Sequence, residues 1–226
     1  MTDQQAALNR TRGFYDRISR AYDLIADSSE HAVRDLGVRA LEAANGQRVL
    51  EIGCGTGHGL VSLADEVGRA GQVHGIDLSS GMVTVARRRI QSAGLRHVTL
   101  TIGDARALCF RSSVFDAVFM SFTLELFEGA ILEVLAEVRR VLRVGGRVGV
   151  VSMSESRQTN AMIGLYQWLH RRWPHFIDCR PIDVVGVLQA AQFRARTAHV
   201  AAVWGLPVIV AIGVKTSAGS EPFPIP

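Results

Sequence analysis

The chain has 226 residues, of which 48% are hydrophobic and 20% charged, and a formal net charge of +4. This composition suits one core-forming domain and excludes a collagenous, disordered or disulfide-scaffold protein. The three cysteines, Cys54, Cys109 and Cys179, are far apart and lack Cys-x-x-Cys or Cys/His ligand spacing, so no structural zinc is expected.

Residues 1–45 read as helical, and their polar, charged start "MTDQQAALNRTRGFYDRISRAYD" is unlike a signal peptide. The first strand is "QRVLEI" (47–52), followed by a helix over 57–68 that stops at glycine. A strand at 72–77 and a helix at 79–94 come next, the helix opened by Ser79 and closed by Gly94. Strands are predicted at 97–104 and 114–123, then a helix over 129–146 ended by a double glycine, then a strand over 147–154. Beyond it the spacing predicts a helix near 159–173 and another from Pro181 to Ala191, with proline in the first turn. Strands at 194–203 and 207–215 close the pattern as a hairpin, and 217–226 is expected to be a disordered tail.

Alternating strands and helices imply right-handed βαβ units and a parallel sheet with one antiparallel strand from the hairpin. The expected fold is therefore α/β, Rossmann-like and doubly wound. One domain over 1–216 is expected, with a helical cap over 1–45 and a substrate-side insert over 154–182. The apolar run 200–214 is short for a membrane span and is interrupted by Gly205 and Pro207, so a soluble, cytoplasmic protein is expected. Lys215 is the single lysine and the arginines scatter; "ARRRI" (86–90) reads as a solvated helix face. No basic stripe interleaved with aromatics appears, so no nucleic-acid partner is expected.

The stretch "VLEIGCGTGHG" (49–59) carries the chemistry. Its Gly53-x-Gly55-x-Gly57 spacing departs from the dinucleotide GxGxxG, because His58 stands where the third glycine belongs. Bare backbone at a βα turn admits a ligand too close for any Cβ. Asp77 ends the second strand, where an acid can accept from both ribose hydroxyls. Asp104 and Ala105 follow the third strand, where a carboxylate can accept from an exocyclic amine. Ser121 and Phe122 end the fourth, beside the glycine loop. Each acid alone could be a helix cap or turn residue; at successive strand ends they point to a nucleoside-type ligand.

These motifs, in order from Gln47 to Ser152, resemble the class I S-adenosylmethionine-dependent methyltransferases, whose first motif "VLEIGCGTG" matches. "FYDRISRAYD", "SFTLELF" and "CRPIDVVGVLQAAQF" resemble the ubiquinone/menaquinone C-methyltransferase group and its relatives. The resemblance implies that Glu51, Gly53, Cys54, Gly55 and Gly57 line the methionine part of the cofactor. It further implies Asp77 on the ribose, Leu78 and Met82 near the adenine, and Asp104 and Ala105 at the adenine amine and ring edge. Ser121 and Phe122 would lie near the transferring methyl, and Tyr22 would close over the methionine end.

The implied activity is methyl transfer from S-adenosyl-L-methionine, giving S-adenosyl-L-homocysteine, to a small hydrophobic or aromatic acceptor at carbon or oxygen. Candidate bases are His170, His175 and Asp178, in the insert with Tyr166, Trp168, Trp173 and Phe176, and Glu125 after the fourth strand. No metal is required. An apolar acceptor would fit peripheral membrane association, and a homodimer is open to such a chain. The competing readings are an N-methyltransferase for a lipid or alkaloid amine, and a non-catalytic cofactor-binding protein. His58 disfavours an NAD-dependent oxidoreductase.

Overall fold

The computed structural model describes residues 27–127, 129–154, 181–203 and 206–217. Strand β1 (Arg48–Ile52) is buried at every position after the first, which explains its unbroken apolar run. It is flanked in parallel by β2 (Gln72–Asp77) and β4 (Phe115–Ser121). Strand β3 (Val98–Ile102) adds parallel to β2, and β5 (Leu142–Met153) parallel to β4. The last hairpin, β6 (Phe193–Val203) and β7 (Leu206–Lys215), puts β7 antiparallel to β5, so the order is β3-β2-β1-β4-β5-β7-β6. This is the expected doubly wound, mostly parallel sheet. The chain runs outward from β1 to β3, then returns to place β4 on the other side of β1. That reversal opens a crevice at the carboxyl ends of β1 and β4, where such sheets bind ligands.

Helices α1 (Asp27–Leu41), α2 (His58–Val67) and α3 (Ser80–Ser92) cover one face, packing Leu41, Leu60, Leu63 and Ala86 into a core with Val49, Phe119 and Val151. Helices α4 (Ile131–Val141) and α5 (Val184–Ala190) cover the other, packing Leu135, Val138 and Leu188 against Leu50, Val118 and Val150. Arg147 ties α1 to β5: its Nε donates to Leu41 O at 2.8 Å and its Nη2 to Glu42 O at 2.7 Å, satisfying carbonyls the helix end leaves free.

Two predicted boundaries are corrected. The double glycine does not end a helix over 129–146. Helix α4 stops at Val141 and the chain is already strand at Leu142. Gly145 and Gly146 instead form a bulge, because Leu142 pairs with Phe115 but Arg147 with Ala117. Gly145 has φ 79°, and a Cβ on Gly146 would lie 2.8 Å from Arg143 O. Likewise Pro181 does not open α5; Asp183 caps it, accepting from Gly186 N at 2.9 Å. Among the described residues no helix is long and apolar enough to cross a membrane, and most of the 200–214 run lies in the β6–β7 hairpin.

Gly37 lets α1 settle onto the sheet, since a Cβ there would overlap Val151 and lie 3.0 Å from Phe119. Gly37→Ala should lower stability despite alanine's better helix propensity, because overpacking a tight core costs about 1–3 kcal/mol. A fall in melting temperature of roughly 2–8 °C is expected by calorimetry; an increase would show that the helix–sheet contact is loose.

Candidate active site

The loop after β1 has φ 67° at Gly53, 51° at Gly55 and 87° at Gly57. These left-handed values explain the alternate glycines. The loop is tied to β2 by its backbone: Gly53 N and Cys54 N both donate to Ile76 O, at 2.8 and 3.1 Å. Asp77 completes the tie. Its Oδ2 accepts from Gly55 N and its Oδ1 from Ser79 N, each at 2.8 Å. Ser79 in turn caps α3, accepting from Met82 N at 3.1 Å. Two successive βα turns are thus joined through one carboxylate.

Each glycine has its own constraint. A Cβ on Gly53 would overlap the Thr123 side chain, whereas one on Gly55 would meet nothing within 4 Å. Among the described residues, the space over Gly55 is therefore open to a ligand. The fourth glycine of the stretch, Gly59, lies under the Glu51 carboxylate, which a Cβ would strike.

Glu51 is 3% exposed, and its Oε2 has no hydrogen-bond partner among the described residues. Burial pushes its pKa up to about 8, with Asp77 adding to the rise and the Arg34 guanidinium opposing it. Arg34, on α1, is itself buried and donates from Nη2 to His31 Nδ1 at 3.0 Å. The Cys54 thiol is pushed up by burial, then by Asp77 and Glu51, which leaves it an inert thiol.

Asp104 follows β3 and is already paired. Burial raises its pKa, but Arg106 outweighs burial and holds the carboxyl below its usual value. Arg106 Nε donates to both carboxylate oxygens at 3.1 Å and Nη2 to Oδ2 at 2.7 Å. Leu78 is half-buried, and Met82 and Ala105 are buried beside these acids. At the end of β4, Ser121 and Phe122 are half-buried, and Phe122 holds φ 50°, a costly value for a residue other than glycine. Glu125 lies in a 3-10 turn (Leu124–Leu126), is 3% exposed, and among the described residues neither oxygen meets a partner in full hydrogen-bond geometry. Burial moves its pKa up to about 7.

The structure thus gathers Glu51, Gly53, Cys54, Gly55, Gly57, Asp77 and Ser121 along one edge of the sheet. Tyr22, His170, His175 and Asp178 lie outside the described residues. Arg34, Thr123 and Arg106 were not singled out from sequence. Arg89 corrects an expectation: it is no solvated face residue, since its Nη1 donates to Thr56 O of the glycine loop. Among the described residues, no cluster of His, Cys, Asp or Glu could hold a metal.

A glycine loop and acids at successive strand ends, on this sheet order, define a class I methyltransferase, and residues 49–146 match the family described as a methyltransferase domain. The chain is 30% identical over 177 residues to the demethylmenaquinone methyltransferase of Bacillus pumilus (strain SAFR-032), covering 76% of this chain and 75% of that one. Among solved structures it is similar to a SAM-dependent methyltransferase from Aquifex aeolicus, with TM-score 0.63, 20% identity, and coverage of 88% of this chain and 98% of that one. It is also similar to phosphoethanolamine N-methyltransferase 2 of Haemonchus contortus, with TM-score 0.72, 18% identity, and coverage of 96% and 61%. The chain belongs to the class I S-adenosylmethionine-dependent methyltransferases, in the quinone-methyltransferase group. It is an enzyme, and its cofactor is S-adenosyl-L-methionine. The residues fit that cofactor: the orphaned oxygen of Glu51 suits a cationic amino-acid group, and the open space over Gly55 suits a ligand laid on bare backbone.

The raised carboxyl of Glu51 sets a sign for stability. Its folded pKa of about 8 lies above the ordinary 4.5, so the folded chain holds a proton that the unfolded chain gives up. That contribution is full below the unfolded value and is lost as pH rises through the folded one. In the cofactor-free protein, Glu51→Gln should therefore flatten the fall of the urea midpoint between about pH 5 and 8; an unchanged slope would remove the buried-acid assignment.

Proposed function

We propose that the enzyme methylates a small hydrophobic, aromatic acceptor, such as a reduced quinone, at carbon or oxygen. The observation that carries this reading is the 30% identity, over three-quarters of each chain, to relatives named for demethylmenaquinone. A hydrophobic acceptor of that kind also suits work at the periphery of a membrane. One domain over 1–216 remains our reading of the chain.

In this reading Asp77 accepts from the ribose hydroxyls through lone pairs not used by the loop amides. Glu51, with Gly53, Cys54, Gly55 and Gly57, receives the methionine part, and Tyr22 closes over it. Leu78 and Met82 pack on the adenine, while Asp104 and Ala105 meet its amine and ring edge. Ser121 and Phe122 border the methyl. The sulfonium, when bound, supplies the activated methyl group. The chain's part is to orient the acceptor in line with it and to keep water out, which can be worth up to roughly 7–11 kcal/mol.

Asp77→Ala should weaken cofactor binding about 10- to 150-fold, the equivalent of one hydrogen bond to a charged group. Asp77→Asn, which keeps an oxygen for the loop, should weaken it less. Unchanged affinity in Asp77→Ala by calorimetry would remove the ribose assignment. The acceptor reading is tested by assaying reduced quinones, phenols, lipid amines and soluble polar amines. Turnover of reduced quinones or phenols is expected; turnover of amines alone would replace the reading with N-methylation.

A further inference from the structure

Glu125 lies just past the carboxyl end of β4, on the crevice side of the sheet edge. Its 3-10 turn leaves the carboxyl end of β4, the strand next to the cofactor loop. Thr123, two residues earlier, packs over Gly53, with its Oγ1 3.5 Å from Gly53 O. The Glu125 carboxylate therefore stands at the β4 side of that loop, facing Ser152 and Met153 of β5.

We propose that Glu125 is the catalytic base of the methyl transfer, accepting the proton that the acceptor's hydroxyl or ring carbon gives up. The inference rests on the acceptor reading above.

Three observations carry it. First, the group is buried, yet neither of its oxygens has a hydrogen-bond partner among the described residues. A buried ionised carboxylate without partners is costly, and a protonated one wants an acceptor for its proton. The polar groups that face the carboxyl are the Ser152 hydroxyl, itself donating to Met153 O at 3.4 Å, and the backbone of Met153, and neither stands in full hydrogen-bond geometry to it. Second, the orphaned carboxylate oxygens among the described residues belong to Glu51 and Glu125 alone, and both lie toward the carboxyl ends of adjacent strands. Glu51 faces the Arg34 guanidinium, which favours its charged form. The charged group acting on Glu125 is instead another acid, Glu30 of α1. A carboxylate beside an acid gains more by taking a proton than by staying charged. Third, burial first, then Glu30, raises this carboxyl to about 7, with backbone N–H groups and the Ser152 hydroxyl opposing. A base is most effective when its pKa lies near the working pH.

The step balances. The acceptor's electron pair forms the bond to the methyl carbon. The carbon–sulfur bond breaks with its pair left on sulfur, which becomes a neutral thioether. The acceptor's proton passes to the Glu125 carboxylate and from there to solvent.

The test is kcat against pH, from about 5 to 9, for the wild-type chain and Glu125→Gln on the best acceptor of the panel above, with cofactor affinity measured by calorimetry. The wild-type rate should rise through about pH 7. Glu125→Gln should lower the plateau about 10²- to 10⁴-fold and abolish the rise, with cofactor affinity unchanged. Glu125→Asp should recover part of both. A Gln variant that keeps kcat within about threefold, or keeps the rise, overturns the proposal. Should Glu125→Gln fail to fold, Glu125→Asp decides: a displaced inflection supports the base and an unmoved profile removes it. If only amines are methylated, the acceptor reading fails by itself, and the same two profiles on the amine still decide Glu125.

Discussion

The carboxylate of Asp77 holds together two loops that could not hold themselves. The turn after β1 runs through three glycines at positive φ, and glycine loses more conformational freedom on ordering than any other residue. Each ordered residue costs about 1–2 kcal/mol of backbone entropy, so a free glycine loop would spend part of its binding energy on becoming a site. Asp77 offsets that cost by accepting from Gly55 N on one side and Ser79 N on the other, at 2.8 Å each. Hydrogen bonds to a charged partner are worth about 1.5–3 kcal/mol apiece. The Ile76 carbonyl, one residue earlier, takes two more loop amides. The end of β2 therefore shapes the loop that follows β1.

Acids at the carboxyl edge of the sheet divide into two kinds. Asp77 and Asp104 are satisfied, by backbone amides and by Arg106 respectively. Glu51 and Glu125 are buried and lack partners on at least one oxygen. Burying unsatisfied carboxyls works against folding, and proteins keep such groups where function needs them. Gly59 shows how the fold accommodates the first of them: α2 passes so close to Glu51 that only a glycine leaves room for its carboxylate.

The glycine turn and the acids at the strand ends were legible in the sequence because their determinants are local. Gly53, Gly55, Asp77 and Asp104 each lie at a strand end, and strand ends can be read from apolar runs. What escaped was set by contacts between distant segments. Arg89 reads as a surface arginine on its helix, yet it reaches Thr56, thirty-three positions away. Arg34 belongs to a helix whose docking against the sheet no periodicity announces. The pair Gly145–Gly146 reads as a helix stop because that is the commonest local use of glycine there. Its actual use, a bulge against β4, depends on the pairing of Phe115 and Ala117 across the sheet. Glu125 was legible as a candidate, but nothing in the sequence distinguished a solvated acid from one buried without a partner.

Sheet order also separates what the family shares from what sets the acceptor. The match to the methyltransferase domain spans 49–146, from β1 to the bulge of β5. That span contains the glycine loop, Asp77, Asp104 and the end of β4, which together line the carboxyl edge of the sheet. Most of β5, with α5 and the β6–β7 hairpin, lies beyond it. Glu125 sits at the seam: its backbone belongs to the matched span, while its polar neighbours Ser152 and Met153 follow it. A residue at that seam can be retuned for a new acceptor by changing β5 without disturbing the loop that Asp77 holds.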